Sequence, residues 1–240
     1  MSRRQKPHLR CPDCRMHRSL CICGLLPRIE TRTRVVLIVH QLEAVKPTNT
    51  GLVAARCLPS SSVIYRGRAP QVVAPGGHGE VGATPDWPAA VAAAAAGARP
   101  LVLYPHPSAT PLEDWRGRTE AVALVVPDGT WAQATRIHAR FAARAGDPVC
   151  VSLPASRTGK RLRTARSPHQ MATLEAVALA LGILEGPEVE AALLRVYRIM
   201  TERTLWTNGR IAAADVTGGI PPGVRRHDPL FVPPLPRLPP

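Results

Sequence analysis

The chain has 240 residues, 45% of them hydrophobic, enough to bury one full α/β core with a small addition and without a second large domain. Its formal net charge of +14, from 31 Lys and Arg against 17 Asp and Glu, points to a polyanion partner, with nucleic acid favoured. The longest apolar runs, VVLIV at 35–39 and AVALVVP at 121–127, are too short to span a bilayer, which excludes a membrane protein.

Lysine occurs only at 6, 46 and 160, so part of the arginine richness is compositional bias; such bias does not produce the excess of basic over acidic residues. With four Trp, three Tyr and two Phe, a stacking platform of many aromatics is not expected, and recognition by backbone charge and shape fits better. The start MSRRQKPHLR is basic and polar and lacks the apolar run and cleavage site of a secretory signal, so a soluble, cytoplasmic protein is expected.

The first element is CPDCRMHRSLCIC, in which Cys11, Cys14, Cys21 and Cys23 are separated by two, six and one residues. This spacing suits tetrahedral thiolate coordination of one ion, Zn²⁺ being favoured. Four sulfurs would fill every position, which makes the metal structural and not catalytic. Two disulfides are the alternative in an oxidising compartment. Cys57 and Cys150 stand alone in apolar contexts and read as buried small hydrophobes.

Beyond the cysteines, strands and helices alternate. Residues 34–40 (RVVLIVH) form a β-branched run, the pattern of a strand buried on both faces. A loop leads to a helix over 49–58 capped by Thr48 or Asn49, then a strand over 62–65 and a Gly/Pro-rich loop over 66–86. A helix over 87–96 ends at Gly97 and a strand over 100–104 runs into PHPSA. The pattern repeats as a strand over 121–127, the segment DGTW, a helix over 131–145 and a strand over 148–153. After a basic loop, Ser167 and Pro168 suit the start of a helix reaching Leu184. A last helix over 188–206 carries Val189, Leu193, Val196, Tyr197 and Met200 on one stripe. Beyond Thr217 the proline-rich tail is expected to be extended.

This alternation predicts an α/β fold with a mostly parallel sheet flanked by helices. Ligands of such sheets bind beyond the carboxyl ends of strands, which nominates the loops 40–50, 105–110, 128–131 and 156–166. Asp128, where a strand meets a helix, is either a helix cap or a catalytic carboxylate.

The LCxC-terminated knuckle, VHQLEAVKPTNTGLVAA, YPHPSA, PDGTW and LRTARSPHQMATLEAVALAL together resemble the DTW-domain family, which is similar to the tRNA-uridine aminocarboxypropyltransferases. The resemblance runs from Cys11 to about Leu184 in motif order. It implies transfer of the 3-amino-3-carboxypropyl group of S-adenosylmethionine to N3 of a uridine in tRNA, giving acp3U and methylthioadenosine. It also implies a SPOUT-like domain with a knotted C-terminal part, an element that periodicity alone does not suggest.

Fitted to that chemistry, Asp128 becomes the general base for uridine N3 or the group that orients the donor's amino function. Tyr104, Pro105, His106, Pro107 and Ser108 with Gly129, Thr130 and Trp131 would line the donor pocket. Glu175 would sit near its positive charge or face solvent. Arg157, Lys160, Arg161, Arg163 and Arg166 are the densest candidates for tRNA contacts, with Lys46 and the knuckle's Arg10, Arg15 and Arg18 as secondary ones. The expected division is a four-cysteine zinc knuckle over 1–27, a catalytic domain over 28–217 and a tail over 218–240, with a monomer slightly favoured. A SPOUT-type RNA methyltransferase and a non-enzymatic zinc-knuckle RNA-binding protein are the alternatives.

Overall fold

Strand β1 (Arg34–His40) is the run RVVLIVH, and its five interior residues are all buried, as branched side chains packed on both faces of a sheet require. The computed structural model describes residues 9–67, 72–73, 80–81, 86–145, 148–154 and 171–226. After β1 come a one-turn helix α1 (Gln41–Ala44), helix α2 (Gly51–Cys57) and strand β2 (Ser62–Arg66). Within the Gly/Pro-rich stretch, β3 (Val72–Val73) and β4 (Glu80–Val81) pair antiparallel, apart from the main sheet. Helix α3 (Trp87–Ala94), strands β5 (Arg99–Leu103), β6 (Thr110–Pro111) and β7 (Val122–Asp128), helix α4 (Trp131–Ala145) and strand β8 (Val149–Ser152) follow. Helices α5 (Thr173–Leu184) and α6 (Pro187–Thr207) complete the sequence of elements.

Six strands form one sheet in the order β2-β1-β7-β5-β8-β6, and each pairing within it is parallel. The expected mixed α/β architecture with a parallel sheet and flanking helices is therefore found. Side-chain alternation divides the core in two. Val35, Leu37 and Val39 of β1 pack with α2, α5 and α6, whereas Val36 and Ile38 pack with Trp87 and Val91 of α3 and Ile137 and Phe141 of α4. The chain leaves β1 toward the first face and leaves β7 toward the second. Because β1 and β7 are neighbours, their carboxyl ends form a topological switch point.

Several boundaries differ from expectation for local reasons. Helix α2 begins at Gly51, with Thr50 as its N-cap residue and Asn49 Oδ1 accepting from Leu52 N at 2.9 Å. Helix α3 ends at Ala94, three residues before Gly97, whose φ of +74° suits glycine. Helix α5 begins at Thr173 and not at the Ser167–Pro168 pair, which lies outside the described residues; Ala172 is extended (φ −73°, ψ 150°). Helices α4 and α6 follow the expected stripes, with Leu193, Val196, Tyr197 and Met200 buried in α6. The short α1, β6 and the 3-10 turn Leu112–Trp115 carry too few residues to show a period in the sequence.

The cysteine segment joins the larger core: Cys11, Cys14, Met16, Leu20 and Ile22 are buried with the α5–α6 face. Arg203, 3% exposed on α6, donates to Leu20 O (3.3 Å), Cys21 O (2.9 Å) and Gly219 O (3.2 Å), which ties that segment to the residues after α6. Burial lowers the pKa of this guanidinium, and the nearby Cys21 and Cys14, which act to raise it, do not outweigh burial. Over 218–226, Ile220 and Val224 pack on the same core; the rest of the proline-rich tail lies outside the described residues. Among the described residues no helix is long and apolar enough to cross a membrane.

Candidate active site and metal centre

The four clustered cysteines converge. Their sulfurs lie within 4.8 Å of one another, with Cys11–Cys23 at 3.5 Å and Cys14–Cys21 at 3.8 Å. Those separations match the edge of about 3.8 Å of a sulfur tetrahedron with arms of about 2.3 Å, and exceed a bonded S–S distance of about 2.05 Å. All six cysteines are free, so the disulfide alternative is not what forms here. A tight turn makes the first half of the nest: Cys11 N donates to Met16 O (2.8 Å), Arg15 N donates to Cys11 O (3.1 Å), and Arg15 takes φ of +61°. The sulfurs compete for protons. Contacts with Cys14, then Cys23, hold the Cys21 thiol far below its usual range. Contact with Cys21 pushes Cys14 up, and contacts with Cys14, then Cys21, push Cys23 up. This group can hold a metal ion, with no ligand position left over for substrate.

The other site is built around Asp128, the last residue of β7 and only 5% exposed. It continues the alternation of Val122, Leu124 and Val126, so its carboxylate faces the α5 side of the sheet. Asn49 Nδ2 donates to Oδ2 at 2.6 Å and Thr173 Oγ1 donates to Oδ1 at 2.5 Å. The hydroxyl of Thr50 meanwhile accepts from Leu174 N at 3.2 Å, locking the α2 start to the α5 start. Capping of α4 is done by the reciprocal pair of Thr130 and Gln133: Gln133 Oε1 accepts from Thr130 N (2.7 Å) and Thr130 Oγ1 accepts from Gln133 N (3.4 Å). The T-x-x-Q spacing of TWAQ is the signal for this box.

Gly51 lets these elements meet. A Cβ there would stand 2.8 Å from Asp128 Oδ2 and 3.2 Å from Thr173 Cγ2. Gly51→Ala ordinarily gains up to about 1 kcal/mol in a helix, but overlap with a buried, doubly bonded carboxylate costs about 1–3 kcal/mol and prevails. The variant is expected to melt below wild type and to move the carboxylate; an unchanged melting temperature would show that the contact yields.

Glu175 does not face solvent. It is fully buried in the first turn of α5, and Oε2 accepts from Ala172 N at 3.4 Å, half of a capping box whose other half Ala172 has no oxygen to complete. Tyr104, His106 and Ser108 are brought together on the opposite face of the rim. Tyr104 packs against the α3–α4 core, its ring stacks on His138 at 4.8 Å, and His106 lies 4.9 Å from His138 on centroids. Tyr104 OH shares a 2.8 Å hydrogen bond with Thr135, and His106 Nδ1 one of 2.7 Å with Ser108. Pro105 is exposed in the same turn. Gly129 and Thr130 join β7 to α4, whose first residue is Trp131. The sheet therefore divides the expected donor set: Asp128 and Glu175 lie toward α5, and Tyr104, His106 and Ser108 toward α4.

Sequence reasoning missed Thr173, Gly51 and His138 as site residues and took Asn49 only as a cap. It also passed over Gln41, 3% exposed just after β1, whose two amide atoms have no hydrogen-bond partner. Next to it, Leu42 N donates to His40 Nδ1 (3.3 Å), which requires that nitrogen unprotonated; burial, and after it Arg66, lowers the His40 pKa in agreement.

The expected cations fare unevenly. Lys46 is ion-paired with Glu43, and the Arg10 guanidinium turns inward to donate to Arg15 O at 3.1 Å. Arg157, Lys160, Arg161, Arg163 and Arg166 lie outside the described residues.

Over 190 residues the chain is 26% identical to tRNA-uridine aminocarboxypropyltransferase 2 of Drosophila melanogaster, covering 78% of this chain and 71% of that protein. No solved structure matches the chain. The family model described as the DTW domain matches residues 8–205, from the cysteine segment through α6, and the chain belongs to the DTW-domain family.

Proposed function

We propose that this chain transfers the 3-amino-3-carboxypropyl group of S-adenosylmethionine to N3 of a uridine in tRNA, with release of methylthioadenosine. The observation that carries the reading is the oriented carboxylate of Asp128, held from two sides at the switch point of a DTW-family sheet. The relative named above is a tRNA-uridine aminocarboxypropyltransferase, which supports the transferred group and the acceptor.

The residues present fit such a donor. The rim offers stacked rings at Tyr104 and His138 on its α4 side for a flat base, an unpaired amide at Gln41 for polar groups, and the carboxylate of Asp128 on its α5 side for a cation, so the donor would reach across the edge of the sheet. When bound, S-adenosylmethionine supplies an electrophilic carbon next to a sulfonium. Asp128 takes the proton from uridine N3, so that the ring nitrogen becomes a competent nucleophile. Asn49 and Thr173 fix the direction of that carboxylate, and Glu175 keeps the α5 start in place through the Ala172 amide. Gly129, Thr130 and Trp131 carry the chain from Asp128 into α4 and so link the two halves of the rim.

Zn²⁺ is the ion we assign to Cys11, Cys14, Cys21 and Cys23, since a closed set of four thiolates suits it and a structural role. We assign residues 1–27 to the knuckle, 28–217 to a SPOUT-like catalytic unit and 218–240 to the tail. Insertion of β7 and β8 on either side of β5 supports the SPOUT-like reading. Nucleoside mass spectrometry of tRNA from cells with and without the protein tests the function: acp3U is expected only with it, and an identical nucleoside profile would overturn the proposal.

A further inference from the structure

Three arginines at the same rim take no part in the sites described above. Arg66 ends β2 and stands in register with His40. Ile64 belongs to the α3–α4 core, so Arg66, two residues on, leaves the sheet on that face. Arg136 and Arg140 are both exposed on α4 and one turn apart, beside the core residues Ile137 and Phe141. Their charges reach Arg66, whose pKa is lowered first by burial and then by Arg140 and Arg136.

The acids in this neighbourhood are committed elsewhere. Asp86 pairs with Arg144 at 2.8 Å, and Glu43 pairs with Lys46. Among the described residues no carboxylate forms an ion pair with Arg66, Arg136 or Arg140. Like charges gathered without a counter-ion are destabilising, and an anion removes that cost.

We propose that Arg66, Arg136 and Arg140 form a phosphate-binding site for the backbone of the RNA substrate, adjoining the switch point that carries Asp128. The proposal rests on the tRNA reading above and adds to it where the RNA lies. Asp128, Val39 and Tyr65 form one row across β7, β1 and β2, and Arg66 follows Tyr65. Two inter-strand steps put the two backbones about 10 Å apart. Asp128 leaves on the α5 face and Arg66 on the α3–α4 face, so the RNA strand would cross the carboxyl edge of the sheet with its base toward Asp128 and its phosphates toward the arginines. Arg136 and Arg140, about 6 Å apart along the helix axis, offer cations in series, which suits a chain of phosphates better than one isolated phosphate. Arginine's planar fork is also the side chain suited to phosphate oxygens.

The test uses the full chain, an unmodified tRNA pool and a salt titration of binding. R136Q/R140Q is compared with R195Q/R198Q, which removes the same charge from exposed positions of α6. The α4 double variant is expected to lose affinity roughly tenfold at 0.1 M salt and to flatten the slope of log K against log salt by about 1.5, two phosphate contacts at about 0.7–0.9 each. The α6 variant is expected to keep the wild-type slope. Removing clustered like charges should leave the melting temperature of R136Q/R140Q equal to or above wild type, so weakened binding would not reflect unfolding. Equal slopes for wild type and R136Q/R140Q, or equal flattening in both double variants, would overturn the site while leaving the tRNA reading intact. A wild type that binds no tRNA would overturn both.

Discussion

Asp128→Asn is expected to lower the rate of transfer by about 10²–10⁴-fold, the range that a positioned general base contributes. The substitution keeps the shape of the site. An asparagine oxygen can still accept from Asn49, and its NH₂ can donate to the Thr173 hydroxyl, which turns from donor to acceptor. Stability should then change by no more than about 1 kcal/mol, as for one exchanged hydrogen bond. Single-turnover kinetics with S-adenosylmethionine and tRNA, read beside a melting curve, separates the two effects. Wild-type turnover in this variant would show that Asp128 only braces α2 against α5.

Cys14→Ser is the second large effect. Cys14 is fully buried in the core that also holds β1 and α6, and Arg203 anchors the same segment through Leu20 and Cys21. Loss of a ligand should therefore unsettle the α5–α6 face, and not merely release a separate knuckle. A metal of this kind contributes on the order of 10 kcal/mol to folding where it is bound. Even a fraction of that, about 3–5 kcal/mol at about 2–4 °C each, lowers the melting temperature on the order of 10 °C. Elemental analysis should find one zinc per wild-type chain and less than that in the variant. A wild type without metal, or a variant with wild-type melting, would contradict the assignment. Because this face also carries Thr173, donor and tRNA binding are expected to fall together on metal loss.

The parts of the fold legible in the sequence were those governed by neighbours in the chain. RVVLIVH announces a strand with both faces buried, and the helix over 131–145 follows its period. The cysteine spacing likewise indicates convergence before any coordinates. What could not be read is set by pairing at long range. Asn49 and Thr173 lie 79 and 45 residues from Asp128, and neither carries a local mark of that bond. The order of strands hides the same way: β7 enters between β1 and β5 although β5 comes before it in the chain. Glu175 was ambiguous because a glutamate in an apolar run is either solvated or a helix-start cap, and only the extended backbone of Ala172 decides for the cap.

Purified protein incubated with tRNA and S-adenosylmethionine, followed by identification of the small-molecule by-product, tests the central claim most directly. Methylthioadenosine is expected in equal amount to newly formed acp3U, both forming about 10²–10⁴-fold more slowly in Asp128→Asn. S-adenosylhomocysteine with a methylated nucleoside would contradict it.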